Sequence, residues 1–171
     1  GVGNSDSHAM TTEYVGLPTN VAECTRTGDD AEARDAFIEC WVRAVRDGRI
    51  RVTTGPLVTL TLTAGASSAE IGGIIDPAAG VTAHVHVQAA DWVPVEEVRL
   101  VVDGSVVETR TLTKADRNAD GSLDLTDAWP VAITPGADQW VVAEAGWPLD
   151  HGYPDDTTVL GTYALVVPGY L

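Results

Sequence analysis

The chain has 171 residues, 44% of them hydrophobic and 20% charged, a composition that suits one folded domain or slightly more. Asp and Glu outnumber Lys and Arg by 25 to 10, and the formal net charge of −15 excludes nucleic-acid phosphates and anionic lipid heads as partners. No apolar run approaches the roughly 20 residues of a membrane-spanning helix.

In chain order, the opening "GVGNSDSHAM" has no initiator Met and no basic stretch followed by an apolar one. It reads as a cut inside a longer protein rather than as a signal peptide. Residues 1–27 are expected to be loop-like, with a turn near Pro18. Residues 28–50 carry one amphipathic helix, "DDAEARDAFIECWVRAVRDG", in which Phe37, Ile38, Trp41, Val42 and Val45 recur at helical spacing and form one apolar face. Thr27 is the expected N-cap. Asp29 and Asp30 suit the positive end of the helix dipole, Arg43 and Arg46 the negative end, and Gly48 the stop. Cys24 and Cys40 are the only cysteines. Cys40 falls at the edge of the apolar stripe, within reach of Cys24. A disulfide would imply an exported protein, and two free thiols a cytoplasmic one.

From residue 51 to the end the period changes from helix to strand. "PLVTLTLTA" alternates apolar residues with Thr, as a half-buried strand does. "GVTAHVHVQAA", "VEEVRLVVDG", "SVVETRTLT", "DQWVVAEAGW" and "GTYALVVPG" follow, separated by Gly, Pro and Asp. Asp103-Gly104 between two alternating runs predicts a tight hairpin. Together these predict a mainly β fold, an immunoglobulin-like antiparallel β-sandwich preceded by one amphipathic helix.

Between two of these strands lies "DRNADGSLDLTD", residues 116–127. It offers Asp116, Asn118 and Asp120 at positions 1, 3 and 5, Gly121 at 6, Ser122 at 7, Asp124 at 9 and Asp127 at 12. This is the pattern of a calcium loop, because a hard ion needing about 6–8 oxygens must be encircled by alternate side chains of one short segment. Asp at position 12, where a Glu is usual, shortens the reach. Strand-like flanks and Pro130 argue against a helix–loop–helix. The expected role of Ca2+ is therefore structural. The plain alternative is a solvated Asp/Asn/Gly turn.

At the other end, "GNSDSH" sets Asp6 and His8 two residues apart. That motif, then "AMTTEYVGLPTNV", the helix and "VRDGRIRVTTGPLVTLTL", resembles the end of the catalytic domain in metallohydrolases of the polymerase and histidinol phosphatase (PHP) superfamily, most closely its CehA/McbA-type branch. "IGGIID", "WVPVEEVRLVVDGSVV" and "DQWVVAEAGW" resemble the sandwich that follows the barrel there. The resemblance implies that residues 1–27 are a remnant of the barrel and that Asp6 and His8 are its last metal-ligand motif. It also implies that the upstream barrel is this chain's partner, with Zn2+, Mn2+ or Fe2+ activating water for hydrolysis of phosphoesters. The upstream H-x-H ligands are absent, so the chain alone is expected to be inactive.

The chain's own H-x-H, His84 and His86, falls inside the sandwich and reads as a polar strand face. Ser5, Asp6 and His8 do not make a hydrolase triad, since no nucleophile-elbow pattern surrounds any Ser. Trp92, Trp129, Trp140 and Trp147 are either core or a carbohydrate-binding face, with Trp140 and Trp147 expected in the core. The rival to the PHP reading is an exported, calcium-stabilised module that binds carbohydrate or a protein surface.

Overall fold

A computed structural model describes residues 18–77 and 80–147, together with the backbone of 167–169. The fold is mainly β. It comprises β1 (Thr19–Ala22), α1 (Ala31–Arg46), β2 (Ile50–Thr53), β3 (Leu57–Ala64), β4 (Ser67–Glu70), β5 (Val81–Ala89), β6 (Glu97–Val102), β7 (Ser105–Thr111), β8 (Leu123–Val131), β9 (Val141–Gly146) and β10 (Val167–Gly169).

Two four-stranded antiparallel sheets carry the orders β4-β3-β5-β8 and β10-β9-β6-β7. The chain leaves β5 for the other sheet, makes the β6–β7 hairpin, and returns as β8 beside β5. That is the Greek-key crossing of an immunoglobulin-like sandwich. Alternation decides which residues fill it. Val58, Leu60 and Leu62 of β3 and Val81, Ala83, Val85 and Val87 of β5 point inward, against Val98 and Leu100 of β6 and Val141 and Ala143 of β9. The hairpin turn has φ of 49° at Asp103 and 79° at Gly104, both in the left-handed region, as a two-residue type I′ turn requires. The Asp103 carboxylate accepts the Trp140 backbone N–H at 3.0 Å and the Gln139 amide at 3.1 Å, which ties the turn to the start of β9.

The N-terminal piece corrects several expectations. Residues 19–22 are not loop but β1, paired antiparallel with β2. The helix starts one turn later than Thr27 implies. Asp30 is its N-cap, accepting the Ala33 N–H at 2.7 Å, a geometry that an N-cap at Thr27 cannot supply with the chain still non-helical at Asp29 and Asp30. The Gly48 stop holds, with φ of 70°.

The apolar stripe of α1 is split, with Phe37 and Trp41 half-buried and its other three residues outward. Ala44 is buried and Phe37 and Cys40 half-buried, whereas Ile38, Val42 and Val45 are exposed, Val42 at 61%. A Cys24–Cys40 disulfide orients the helix, drawing the Cys40 side toward the end of β1 and leaving the opposite stripe outward. Gly72 makes the seat for the helix end. Its φ is 75°, and a Cβ there would lie 2.5 Å from the Asp47 carbonyl oxygen. Beside it Arg51 is buried, with its guanidinium bonded to Glu23 at 2.8 Å.

Candidate functional site

The segment 112–122 is the connection that crosses from one sheet to the other. Thr113 and Asp116 close a capping box around a single 3-10 turn, Lys114–Asp116. Asp116 Oδ2 accepts the Thr113 backbone N–H at 2.8 Å and its hydroxyl at 2.9 Å. Gly121 then turns the chain at φ 84°, and its Cα lies so close to Asp91 that a Cβ would meet the Asp91 Cβ at 2.9 Å. From Leu123 onward the chain is strand. Loop positions 8–12 therefore belong to β8, which corrects the expectation of a loop running to Asp127. Pro130 is tolerated within β8 because that strand is an edge of its sheet.

The carboxylates of the acidic stretch have separate partners. Asp116 Oδ1 and Asp127 Oδ1 each lie 2.5 Å from the Arg110 guanidinium. Arg110 is on β7 and Asp127 on β8, the neighbouring edges of the two sheets, so this cation closes one side of the sandwich. Asp120 accepts the Ser122 hydroxyl at 2.7 Å and the Ser122 N–H at 3.0 Å. Asp124 faces outward, 2.6 Å from His86 Nε2 and 3.4 Å from the Gln88 amide nitrogen. Asn118 donates its backbone N–H to the Ser122 carbonyl at 2.8 Å and its side-chain amide to the Ser122 hydroxyl at 3.0 Å.

These bonds set the protonation states. The backbone N–H of Thr113, then Arg110 and the Thr113 hydroxyl, hold Asp116 at about 2, below its ordinary 3.8. The Ser122 hydroxyl and N–H lower Asp120. His86 and then Gln88 lower Asp124. Arg110 is raised, chiefly by Asp116. All three carboxylates are thus charged near neutral pH.

The residues fit an ion in part. Among the described residues no three His, Cys, Asp or Glu side chains converge as metal ligands. One oxygen, however, is left over. Asp127 Oδ2 is buried and has no hydrogen-bond partner, while the oxygen beside it is held by Arg110. Asp116, Asn118, Asp120, the Ser122 carbonyl and Asp127 are the groups that would hold calcium, with Asp124 outside them on the sheet face.

Arg110 and Arg117 are residues of this region that the acidic pattern hid. Arg117 donates to the carbonyls of Gly121 at 2.9 Å, Val93 at 3.1 Å and Val95 at 3.4 Å, and so staples the β7–β8 connection to the β5–β6 loop. A signal was present. In a chain with only 10 Lys and Arg, Arg110, Lys114 and Arg117 cluster directly against the aspartates.

Other sequence-derived residues are placed as follows. Asp6 and His8 lie outside the described residues. His84 and His86 share the outer face of β5 and have separate partners, Thr63 for His84 at 3.1 Å and Asp124 for His86. Trp129 packs against the core, but Trp140 and Trp147 are substantially exposed and Trp92 is 81% exposed, which corrects the core expectation for Trp140 and Trp147. Trp140 immediately precedes β9 and Trp147 immediately follows it, so both sit at the ends of that strand.

Comparison with known proteins gave no match to this chain, whether among family models, curated proteins or solved structures.

Proposed function

We propose that this chain is the C-terminal, non-catalytic part of a PHP-type metal-dependent hydrolase, its sandwich serving as an accessory domain braced by a calcium ion in loop 116–127. The observation that carries the reading is the outward stripe of α1. Ile38, Val42 and Val45 form an exposed apolar row on a helix pinned by a disulfide and lying ahead of the sandwich. A connecting helix that also packs against a preceding domain has this form, since its two faces are buried by different bodies. The preceding body is the catalytic barrel, to which Asp6 and His8 contribute the last ligand motif. Asp6 and His8 would be among the residues holding Zn2+, Mn2+ or Fe2+ there, and that metal would supply activation of water for phosphoester hydrolysis. The disulfide supports an exported location for the whole.

Calcium is supported by the spacing of residues 116–127, the left-handed turn at Gly121 and the unsatisfied Asp127 Oδ2. Its duty is to neutralise carboxylates at the crossing between sheets, alongside Arg110.

The test is hydrolysis of bis(p-nitrophenyl) phosphate with added Mn2+ or Zn2+. This chain is expected to show none. The longer gene product is expected to be active and to lose turnover in Asp6→Ala and His8→Ala. Turnover by the chain alone, or a longer product indifferent to both substitutions, contradicts the reading.

A further inference from the structure

The N-terminal piece and the sandwich meet around a half-enclosed cleft of about 240 Å3. Ala44 of α1 and Ile71, just after β4, give it an apolar lining, and both are buried. Its charged lining is Glu23, which directly follows β1, Glu70 at the end of β4, and Arg49 and Arg51, which flank Ile50 at the start of β2. A Cβ at Gly72 would lie 2.6 Å from Arg49 Cγ, so glycine there is what admits the Arg49 stem to the cleft wall.

The charge here runs against that of the chain as a whole. Residues 43–51 hold four arginines and a single acid, Asp47, in a protein of net charge −15. Arg43 and Arg46 suit the negative end of the helix, but Arg49 and Arg51 lie beyond it. Arg51 is 7% exposed, and burying a guanidinium is costly unless its donors are satisfied. Its Nη2 donates to Glu23 at 2.8 Å, while Nε is buried with no hydrogen-bond partner. Nε and Nη2 form one side of the guanidinium fork, able to grip both oxygens of a carboxylate at once. Glu23 fills only one arm. Its side chain is 71% exposed, so water weakens its hold on the arginine.

We propose that this cleft binds a small aliphatic monocarboxylate, which displaces Glu23 and takes both arms of the Arg51 fork, its tail against Ala44 and Ile71. Size follows from volume. At about 240 Å3 the cleft falls below the roughly 300–1,000 Å3 of sites for drug-sized ligands, so the occupant has few carbon atoms. The single charge follows from the lining. Glu23 and Glu70 stand in the same cleft as the two arginines, and a second negative charge on the ligand would be repelled by them. Glu23 is thus a built-in competitor, an internal carboxylate that occupies the arginine until a ligand replaces it. This goes beyond the accessory-domain reading and does not rest on it.

The experiment titrates sodium butanoate into the whole chain while NMR follows the arginine Nε–H signals and the backbone amides of Gly72 and Gly73, which line the cleft. The Arg51 signal is identified by its loss in Arg51→Lys. Saturable movement of that signal at millimolar concentration is expected, whereas n-butylamine, with the same tail and the opposite charge, should leave it in place. Arg51→Lys keeps the charge but not the fork, and should bind about tenfold more weakly, as read from the glycine amides. Glu23→Gln removes the competitor and should bind several-fold more tightly, a test that stands even if the arginine variant fails to fold. Arg34→Gln, on the exposed surface of α1 and outside the cleft, should bind as the wild type does. An Arg51 signal unmoved by butanoate, an equal response to n-butylamine, tighter binding of inorganic phosphate than of butanoate, or no gain in Glu23→Gln overturns the proposal. So does a loss in Arg34→Gln as large as that in Arg51→Lys.

Discussion

Replacing Arg110 by Gln removes a cation that joins the β7 and β8 edges. The wild-type guanidinium, one-third exposed, bonds Asp127 and Asp116 at 2.5 Å each, and the Asp127 side chain is 17% exposed. A hydrogen bond to a charged group contributes about 1.5–3 kcal/mol, and partial exposure reduces that by screening, so the Asp127 arm alone contributes about 1–2 kcal/mol. For a domain of this size each kcal/mol moves the melting temperature by roughly 2–4 °C, so a fall of roughly 2–8 °C is expected in chelator. Calcium adds the second half of the test. On the calcium proposal, the ion would neutralise the same two carboxylates that Arg110 holds, Asp116 and Asp127, so calcium should raise the melting temperature of Arg110→Gln by more than that of the wild type. The measurement is thermal unfolding followed by circular dichroism, with EGTA and with millimolar calcium. No loss in EGTA refutes the role given to Arg110. An equal calcium response in both proteins refutes the shared-carboxylate argument.

Three further outcomes follow from the geometry. The Cys24–Cys40 bond closes a loop with a sequence separation of 16, so Cys24→Ser with Cys40→Ser should cost about 3 kcal/mol by chain entropy, read by urea unfolding; an unchanged midpoint would show that the bond does not constrain the unfolded chain. Gly72→Ala must place a methyl 2.5 Å from the Asp47 carbonyl at positive φ, and should destabilise by about 2 kcal/mol or more, whereas Gly80→Ala, with open space around it, pays only the backbone term. Acid unfolding without calcium should steepen between about pH 4 and pH 2. Asp116 is depressed from 3.8 to about 2, so its contribution is whole above the unfolded value and is lost as pH falls through the folded one. Asp116→Asn should flatten that limb, and an unaltered slope would assign the acid sensitivity elsewhere.

Much of the sandwich was legible because its signals were local. β3 and β5 alternate so regularly that the inward set follows from the sequence, and Asp103-Gly104 places the hairpin turn. The first half of β8 was hidden because its inward row reads Leu123, Leu125, Asp127, Trp129, Val131, and the aspartate breaks the hydrophobic period. Asp127 is tolerated there by an ion pair with Arg110, seventeen residues away in sequence, which no periodicity encodes. The helix was recognised but its facing only in part. Phe37 and Trp41 are half-buried, yet Ile38, Val42 and Val45 of the same stripe are outward on a helix held at Cys40 by a disulfide. The short strands β1 and β2 carry too few residues for a period to show, and β2 buries an arginine.

At the site, the ligand spacing of residues 116–127 was visible in the sequence, while the hydrogen bonds that now occupy those side chains were not. Asp124 is the clearest example. Its spacing assigns it to position 9 of a metal loop, but strand register places it opposite Gln88 and beside His86 on the outer sheet face.

The brace between the two sheets is tested most directly by titrating calcium into chelator-stripped protein in a calorimeter. Saturable binding at one site, lost in Asp120→Ala and accompanied by a rise in melting temperature, is the expected result. No heat of binding together with no thermal shift would contradict it, leaving Arg110 as the cation that holds this side of the sandwich closed.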